Sequence, residues 1–214
     1  MVGRIGAVVL AAGAATRFGA PKQRLLLPAV LAQLGGVDQI VVVSGAYELE
    51  GAIPCPDWER GPGASLRCGL AALTSNVDAA VVVLADGPDL APAAIERVLA
   101  AWRETGSALV AASYGGVRGH PLVIARSAWE DIPDEGLRAR EPLLVPCDDL
   151  GPPGDVDFPD DLPERFRPEG SEERPANRCR HRWSSSARSL SRPCSPRRPP
   201  TTGALSPPRG CTAS

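Results

Sequence analysis

Arg17 and Lys22 stand five positions apart in a run with almost no other bulk: Leu10-Ala11-Ala12-Gly13-Ala14-Ala15-Thr16-Arg17-Phe18-Gly19-Ala20-Pro21-Lys22. Small residues let backbone N–H groups come close to a polyphosphate, and the two cations then neutralise its oxygens. The chemistry on offer is phosphate binding and charge stabilisation. Neither standard phosphate loop fits. A Walker loop places Lys directly after its second Gly and follows it with Ser or Thr. Here Lys22 comes three residues after Gly19 and precedes Gln23. The dinucleotide pattern G-x-G-x-x-G is missing too, since Gly13 and Gly19 are six apart.

Carboxylates form the second half of this chemistry. Asp86 follows an apolar run, Ala79–Ala85, and opens Asp86-Gly87-Pro88-Asp89. An Asp at a strand's carboxyl end is well placed to hold Mg²⁺ through one carboxylate, with water and phosphate oxygens completing the shell. A later run, Gly154-Asp155-Val156-Asp157-Phe158-Pro159-Asp160-Asp161-Leu162, supplies more acids. Asp160 and Asp161 suit the first turn of a helix.

The elements that must position these groups alternate along the chain. Ala7–Leu10, Gln39–Val43, Ala79–Ala85 and Ala108–Ala112 read as buried strands. Pro121–Ile124 reads as a further short strand, and Leu143–Val145 as an edge strand. Residues 24–34, 64–73 and 92–102 have helical spacing, with Pro28 expected in a first turn. The Gly61-Pro62-Gly63 run is expected to lie outside the second helix, with Ser65 as its N-cap. Residues 114–120 read as a loop and 126–132 as a short helix. Alternating strands and helices predict an α/β fold, a mostly parallel sheet with helices on both faces.

Seven positions of the first run, L-A-A-G-x-x-x-R-x-G-x-x-K, resemble the MobA-like nucleotidyltransferases, and within them most closely the molybdenum cofactor cytidylyltransferases. The resemblance covers about residues 5–162 and implies a three-layer Rossmann-like sheet of the nucleotide-diphospho-sugar transferase type. It makes Leu10, Ala11, Ala12, Gly13 and Lys22 nucleotide-binding, and Lys22, Arg17 and Asp86 catalytic. The family's G-x-x-x-S-L-x-x-G-L run meets base and ribose; its match here makes Ser65, Arg67 and Gly69 nucleotide contacts. The family's D-x-P is matched by Asp86 and Pro88, and its D-I-D-T-P-E-D-L by 155–162 with Phe158 in place of Thr. Asp86 and Asp157 are the implied Mg²⁺ ligands, with Asp155 the alternative to Asp157. A G-x-P turn on the acceptor side is matched by Gly119-His120-Pro121. The link from Lys22 to the first helix is shorter than the family's.

The implied reaction moves a nucleoside monophosphate, CMP from CTP, onto a phosphorylated acceptor, molybdopterin cofactor. The alternatives are a guanylyltransferase, a sugar-phosphate nucleotidyltransferase and a non-catalytic nucleotide-binding relative. The Ala11-Ala12-Gly13 and Lys22-Gln23 spellings look cytidylyl rather than guanylyl.

Charge divides the 214 residues in two: 1–162 carry −9, whereas 163–214 carry +7. The second stretch is rich in Arg, Ser and Pro and is expected to be a disordered tail after a 1–162 domain. Its basic residues could meet nucleic-acid phosphates weakly, but no aromatic ladder or recognised fold accompanies them, so nucleic acid is not expected as a partner. Six scattered Cys without C-x-x-C spacing and two His argue against zinc and against a disulfide framework. No run is long enough for a membrane helix, so the expected location is cytoplasmic.

Overall fold

The computed structural model describes residues 3–167. Its centre is β1 (Ile5–Ala11), buried at every position except half-buried Leu10. Parallel neighbours flank it, β2 (Gln39–Ser44) and β4 (Ala79–Leu84), so that Val8 lies between Val41 and Val82. The sheet runs on to β3 (Ile53–Pro54) at one edge. Toward the other edge come β6 (Val117–Ala125), β5 (Leu109–Tyr114) and β7 (Leu143–Pro146), giving the order β3-β2-β1-β4-β6-β5-β7. Only β6 is antiparallel to its neighbours.

That reversal has a local cause. Tyr114 pairs with Val117 across Gly115-Gly116, whose φ values are 59° and 76°. A two-residue turn with both φ positive matches the strand twist, and Gly adopts it without strain. The expected 114–120 loop is therefore mostly hairpin, with 117–120 in β6. The helix expected over 126–132 is a single 3-10 turn, Arg126–Ala128, and Asp131 at φ 56° interrupts any continuation.

Helices α1 (Gln23–Ala32) and α3 (Pro92–Thr105) cover one face of the sheet, and α2 (Pro62–Ala72) covers the other. The three-layer, mostly parallel architecture expected from the sequence is present. Two helix starts differ in detail. Pro28 sits in the second turn of α1, on its exposed side, where water can take the carbonyl it leaves unpaired. α2 begins at Pro62 with Gly61 as N-cap, because Pro at the first helical position lacks only an N–H that is orphaned there anyway. Ser65 is consequently inside the helix rather than capping it.

Two further features depart from expectation. Cys55, just past β3, is disulfide-bonded to Cys68 of α2, with Cα atoms 5.9 Å apart. The sequence spacing carries no signal for it; the packing of α2 beside the sheet edge brings the pair together. Residues 163–167 also pack on the domain. Phe166 joins a small cluster of Leu26, Val156, Leu162 and Phe18, and Arg165 bonds Asp89 at 2.5 Å. The rest of the expected tail, 168–214, lies outside the described residues. Among the described residues no helix is long and apolar enough to cross a membrane.

Candidate active site

At the end of β1 the chain leaves the sheet as a loop, residues 12–22, and returns as α1. Three successive carbonyls of this loop are held from behind. Ala12 O accepts from the Ala46 amide at 3.1 Å, Gly13 O from Gln23 Nε2 at 2.7 Å, and Ala14 O from the Tyr47 hydroxyl at 2.8 Å. No amide from Gly13 to Arg17 donates to another described residue. Acceptors are thus turned into the protein and donors are left open, the arrangement an anion needs. Ala15 holds φ 47°, a left-handed conformation that costs a non-glycine residue about 1 kcal/mol and recurs where a loop is shaped for a ligand. A Cβ on Gly13 would have only Gln23 Nε2 nearby, at 3.9 Å, so the space over it is open.

Lys22 stands at the start of α1 and is only 6 % exposed. Its Nζ lies 3.1 Å from Asp86 Oδ2 and 3.5 Å from Asp157 Oδ1, and it donates to Val156 O. Arg17 Nη1 reaches the other oxygen of Asp157 at 2.8 Å. Asp86 lies two residues past the end of β4, at the carboxyl end where it is expected. Asp157 arrives from far along the chain because Val156 is buried against Leu26 and Leu162, and its amide bonds Asp86 O at 3.3 Å. With Val156 turned in, Asp155 and Asp157 on either side of it remain more exposed. The Asp155 carboxyl is pushed up, first by burial and then by the neighbouring charges of Asp86 and Asp157. Leu10, Ala11, Gly13, Arg17, Lys22, Asp86 and Asp157 line one cavity of about 330 Å³.

Gln23 lines the same cavity, in addition to the residues the sequence points to. Its amide closes the loop onto Gly13, while its buried Oε1 has no partner among the described residues. The span of the Gln23 side chain back to Gly13 leaves no signal in the sequence.

The residues expected on α2 go elsewhere. Gly69 faces the sheet, where a Cβ would collide with Val8 and come within 2.9 Å of Val43. It is a close-packing glycine. Ser65 is buried at 4 % exposure. Arg67 donates to Ile132 O and to Asp134 Oδ1, the latter at 2.5 Å, and Arg60 meets the other Asp134 oxygen at 2.9 Å. Both guanidiniums hold the Asp134 carboxyl below the usual range, the Arg67 hydrogen bond most of all. None of these three residues lines the cavity of Lys22 and Asp86.

Two more cavities lie nearby, one of them sharing Leu10 with the first. One, about 390 Å³, lies beside the start of α2 and is walled by Leu10, Pro62, Leu66, Leu84, Leu137 and His120. The other, about 510 Å³, lies between the β5–β6 hairpin and residues 152–155. Arg118, Gly119 and His120 separate them, bordering both. Burial and the Arg118 charge push the His120 imidazole down to about 4, against a smaller upward pull from Asp86. It is neutral at physiological pH.

The MobA-like NTP transferase domain matches residues 7–142, more than half of the 214 residues. The chain belongs to the MobA-like NTP transferase family. Rv0371c from Mycobacterium tuberculosis H37Rv is 30 % identical with TM-score 0.60, over 74 % of this chain and 95 % of that one. A manganese complex of Rv0371c aligns at 28 % identity and TM-score 0.53, with the same two coverages. A nucleotidyl transferase from Methanothermobacter thermautotroptrophicus shares the fold at 18 % identity and TM-score 0.54, over 74 % of this chain and 94 % of that one. Comparison with curated proteins finds no match. This MobA-like transferase is a nucleotidyltransferase, and a nucleotide is its substrate.

The carboxylate pair fits a hard divalent cation. Asp86 and Asp157 already converge on one cation, the Lys22 ammonium, and all their donors are oxygens. Among the described residues no group of three or more His, Cys, Asp or Glu forms a metal cage. A metal here would therefore draw its remaining ligands from substrate and water.

Proposed function

We propose that this MobA-like transferase moves CMP from CTP onto a phosphorylated cofactor, molybdopterin carrying molybdenum, and releases pyrophosphate in the cytoplasm. The observation that carries the transfer chemistry is the cavity in which Arg17, Lys22 and open loop amides face Asp86 and Asp157. The choice of CTP and of molybdopterin rests on the resemblance of the Ala11-Ala12-Gly13 and Lys22-Gln23 spellings to the cytidylyl branch.

The loop amides of Gly13 to Arg17 bind the triphosphate. Leu10, shared by two cavities, marks where phosphates give way to nucleoside, which enters the cavity beside α2. The acceptor enters beside Gly87 and Asp155. One oxygen of the acceptor's phosphate attacks the α-phosphorus. The bond from that phosphorus to the β-bridging oxygen breaks, and its electrons leave on pyrophosphate. The attacking oxygen is already ionised, so no side chain needs to take a proton. Lys22 and Arg17 offset the charge that builds on the phosphoryl oxygens and the leaving group. Asp86 and Asp157 would hold Mg²⁺, which when bound would supply charge neutralisation for the phosphate oxygens. Divalent cation binding by the related Rv0371c supports that assignment.

The test is pyrophosphate release with Mg²⁺, offering CTP, GTP, ATP and UTP separately, with and without molybdenum-loaded molybdopterin. Release with CTP only when the acceptor is present is the expected result. Release with a different nucleotide or acceptor overturns the substrate assignment but keeps the mechanism. Nucleotide binding without release from any pair overturns the catalytic reading.

A further inference from the structure

The cations assigned to the triphosphate and the carboxylates assigned to the metal are bound to each other. Lys22 Nζ touches both carboxylates, and Arg17 closes on the free oxygen of Asp157. These are short contacts within one cavity, and Lys22 is nearly sealed there. A divalent cation entering alone must come close to an ammonium that already occupies the space between its two ligands. At a few ångströms and reduced dielectric, that like-charge contact opposes binding strongly.

We infer that Lys22 and Arg17 are built-in counter-ions that block the Asp86–Asp157 metal site until a polyphosphate draws them away. The inference rests on the phosphate role proposed above and adds an order and a coupling to it. Anionic oxygens arriving at the loop compete for Lys22 and Arg17. Each cation that turns to phosphate uncovers carboxylate oxygen, and the uncovered pair then takes the metal. Because coupling between two ligands is reciprocal, the metal must strengthen nucleotide binding by the same factor. The device has a plain physical purpose: an empty site stays neutralised without recruiting a metal. The two carboxylates Asp86 and Asp157 are offset by two cations that are part of the chain, Lys22 and Arg17.

The geometry has a consequence that needs no turnover. Removing a counter-ion should make the empty site a better metal site. The probe is Mn²⁺, titrated into nucleotide-free full-length protein and followed through the loss of the free-ion EPR signal. The proteins are wild type, Arg17→Met, Lys22→Met and Lys22→Arg, with thermal melting to confirm folding. Arg17 is largely exposed, so its variant folds even if Lys22→Met does not. Mn²⁺ affinity should rise about tenfold in Arg17→Met and further in Lys22→Met, whereas Lys22→Arg should stay as weak as wild type. Unchanged or weaker Mn²⁺ binding in Arg17→Met overturns the inference.

A separate arm keeps the two readings apart. Metal-free CTP in EDTA is titrated into the same four proteins. Tighter Mn²⁺ binding together with weaker CTP binding in Arg17→Met supports both the counter-ion role and the phosphate role. Tighter Mn²⁺ binding with no CTP binding even in wild type supports the counter-ion block and overturns the phosphate trigger.

Discussion

Two glycine-rich stretches of this chain look alike on paper and do opposite things. Residues 13–22 combine small residues with Arg17 and Lys22; residues 61–69 combine Gly61, Gly63 and Gly69 with Arg67. The first stretch is backed by protein and open in front, with the carbonyls of Ala12 to Ala14 held from behind and the amides of Gly13 to Arg17 without a partner among the described residues. The second is filled from the front by its own chain. A Cβ on Gly63 would strike the Pro133 carbonyl, and the Gly63 amide bonds Asp134 O at 2.9 Å. Arg67 is committed to Ile132 and Asp134. Glycine and a cation therefore announce close approach by something, and the fold decides whether that is a ligand or the protein itself.

The sharpest way to break this contrast is to remove a charge from the open stretch. Lys22→Ala should lower nucleotidyl transfer by about a thousandfold or more, on the order of one lost oxyanion donor, with the fold retained. Asp86→Ala should do the same. Pyrophosphate release alongside circular dichroism checks both, and retained turnover in either would strike that residue from the mechanism.

The glycines themselves give the next largest effect, with opposite signs of readout. Gly63→Ala and Gly69→Ala should each cost about 1–3 kcal/mol, because the new methyl meets backbone or buried valine that cannot retreat. Gly13→Ala has room for its methyl and should leave the melting temperature within a degree or two while weakening nucleotide binding. Denaturant titration of all three, paired with CTP binding, would reveal a contrast that is wrong if Gly13→Ala is the destabilised one.

Acid should act through His120. Its folded pKa is depressed to about 4 from 6.5, so the unfolded chain binds the proton more readily. The stability this neutral form contributes is complete above about pH 6.5 and declines as pH falls toward 4. His120→Asn should flatten the melting-temperature profile across that window. The smallest effect concerns the closed stretch: Arg67→Lys should loosen the 132–134 contact and lower the melting temperature slightly, with CTP binding unchanged. A clear loss of CTP affinity would return Arg67 to the nucleotide site.

Much of the fold was readable because its signals are local. Runs such as Ala79–Leu84 are apolar enough to be strands covered on both faces, and Asp86 at the end of one is already at the sheet's working edge. The Gly115-Gly116 hairpin replaces the loop expected over 114–120, and its local signal is the two adjacent glycines, which adopt positive φ without strain. Arg67, Ser65 and Gly69 were expected at the nucleotide from motif resemblance alone, and spacing cannot reveal that Asp134 lies within reach of Arg67.

By itself the sequence determined the alternation of strands and helices, the small-residue loop with Arg17 and Lys22, and the strand-end Asp86. Each depends on a residue and its near neighbours, through side-chain size, periodicity or charge. Only the tertiary structure decided which carboxylate joins Asp86, which guanidinium is spent on protein, and which two cysteines meet. Asp157 reaches Lys22 because Val156 packs on Leu26, more than a hundred residues away along the chain. Contacts of that kind are set by how buried surfaces fit, and their partners leave no mark in local pattern.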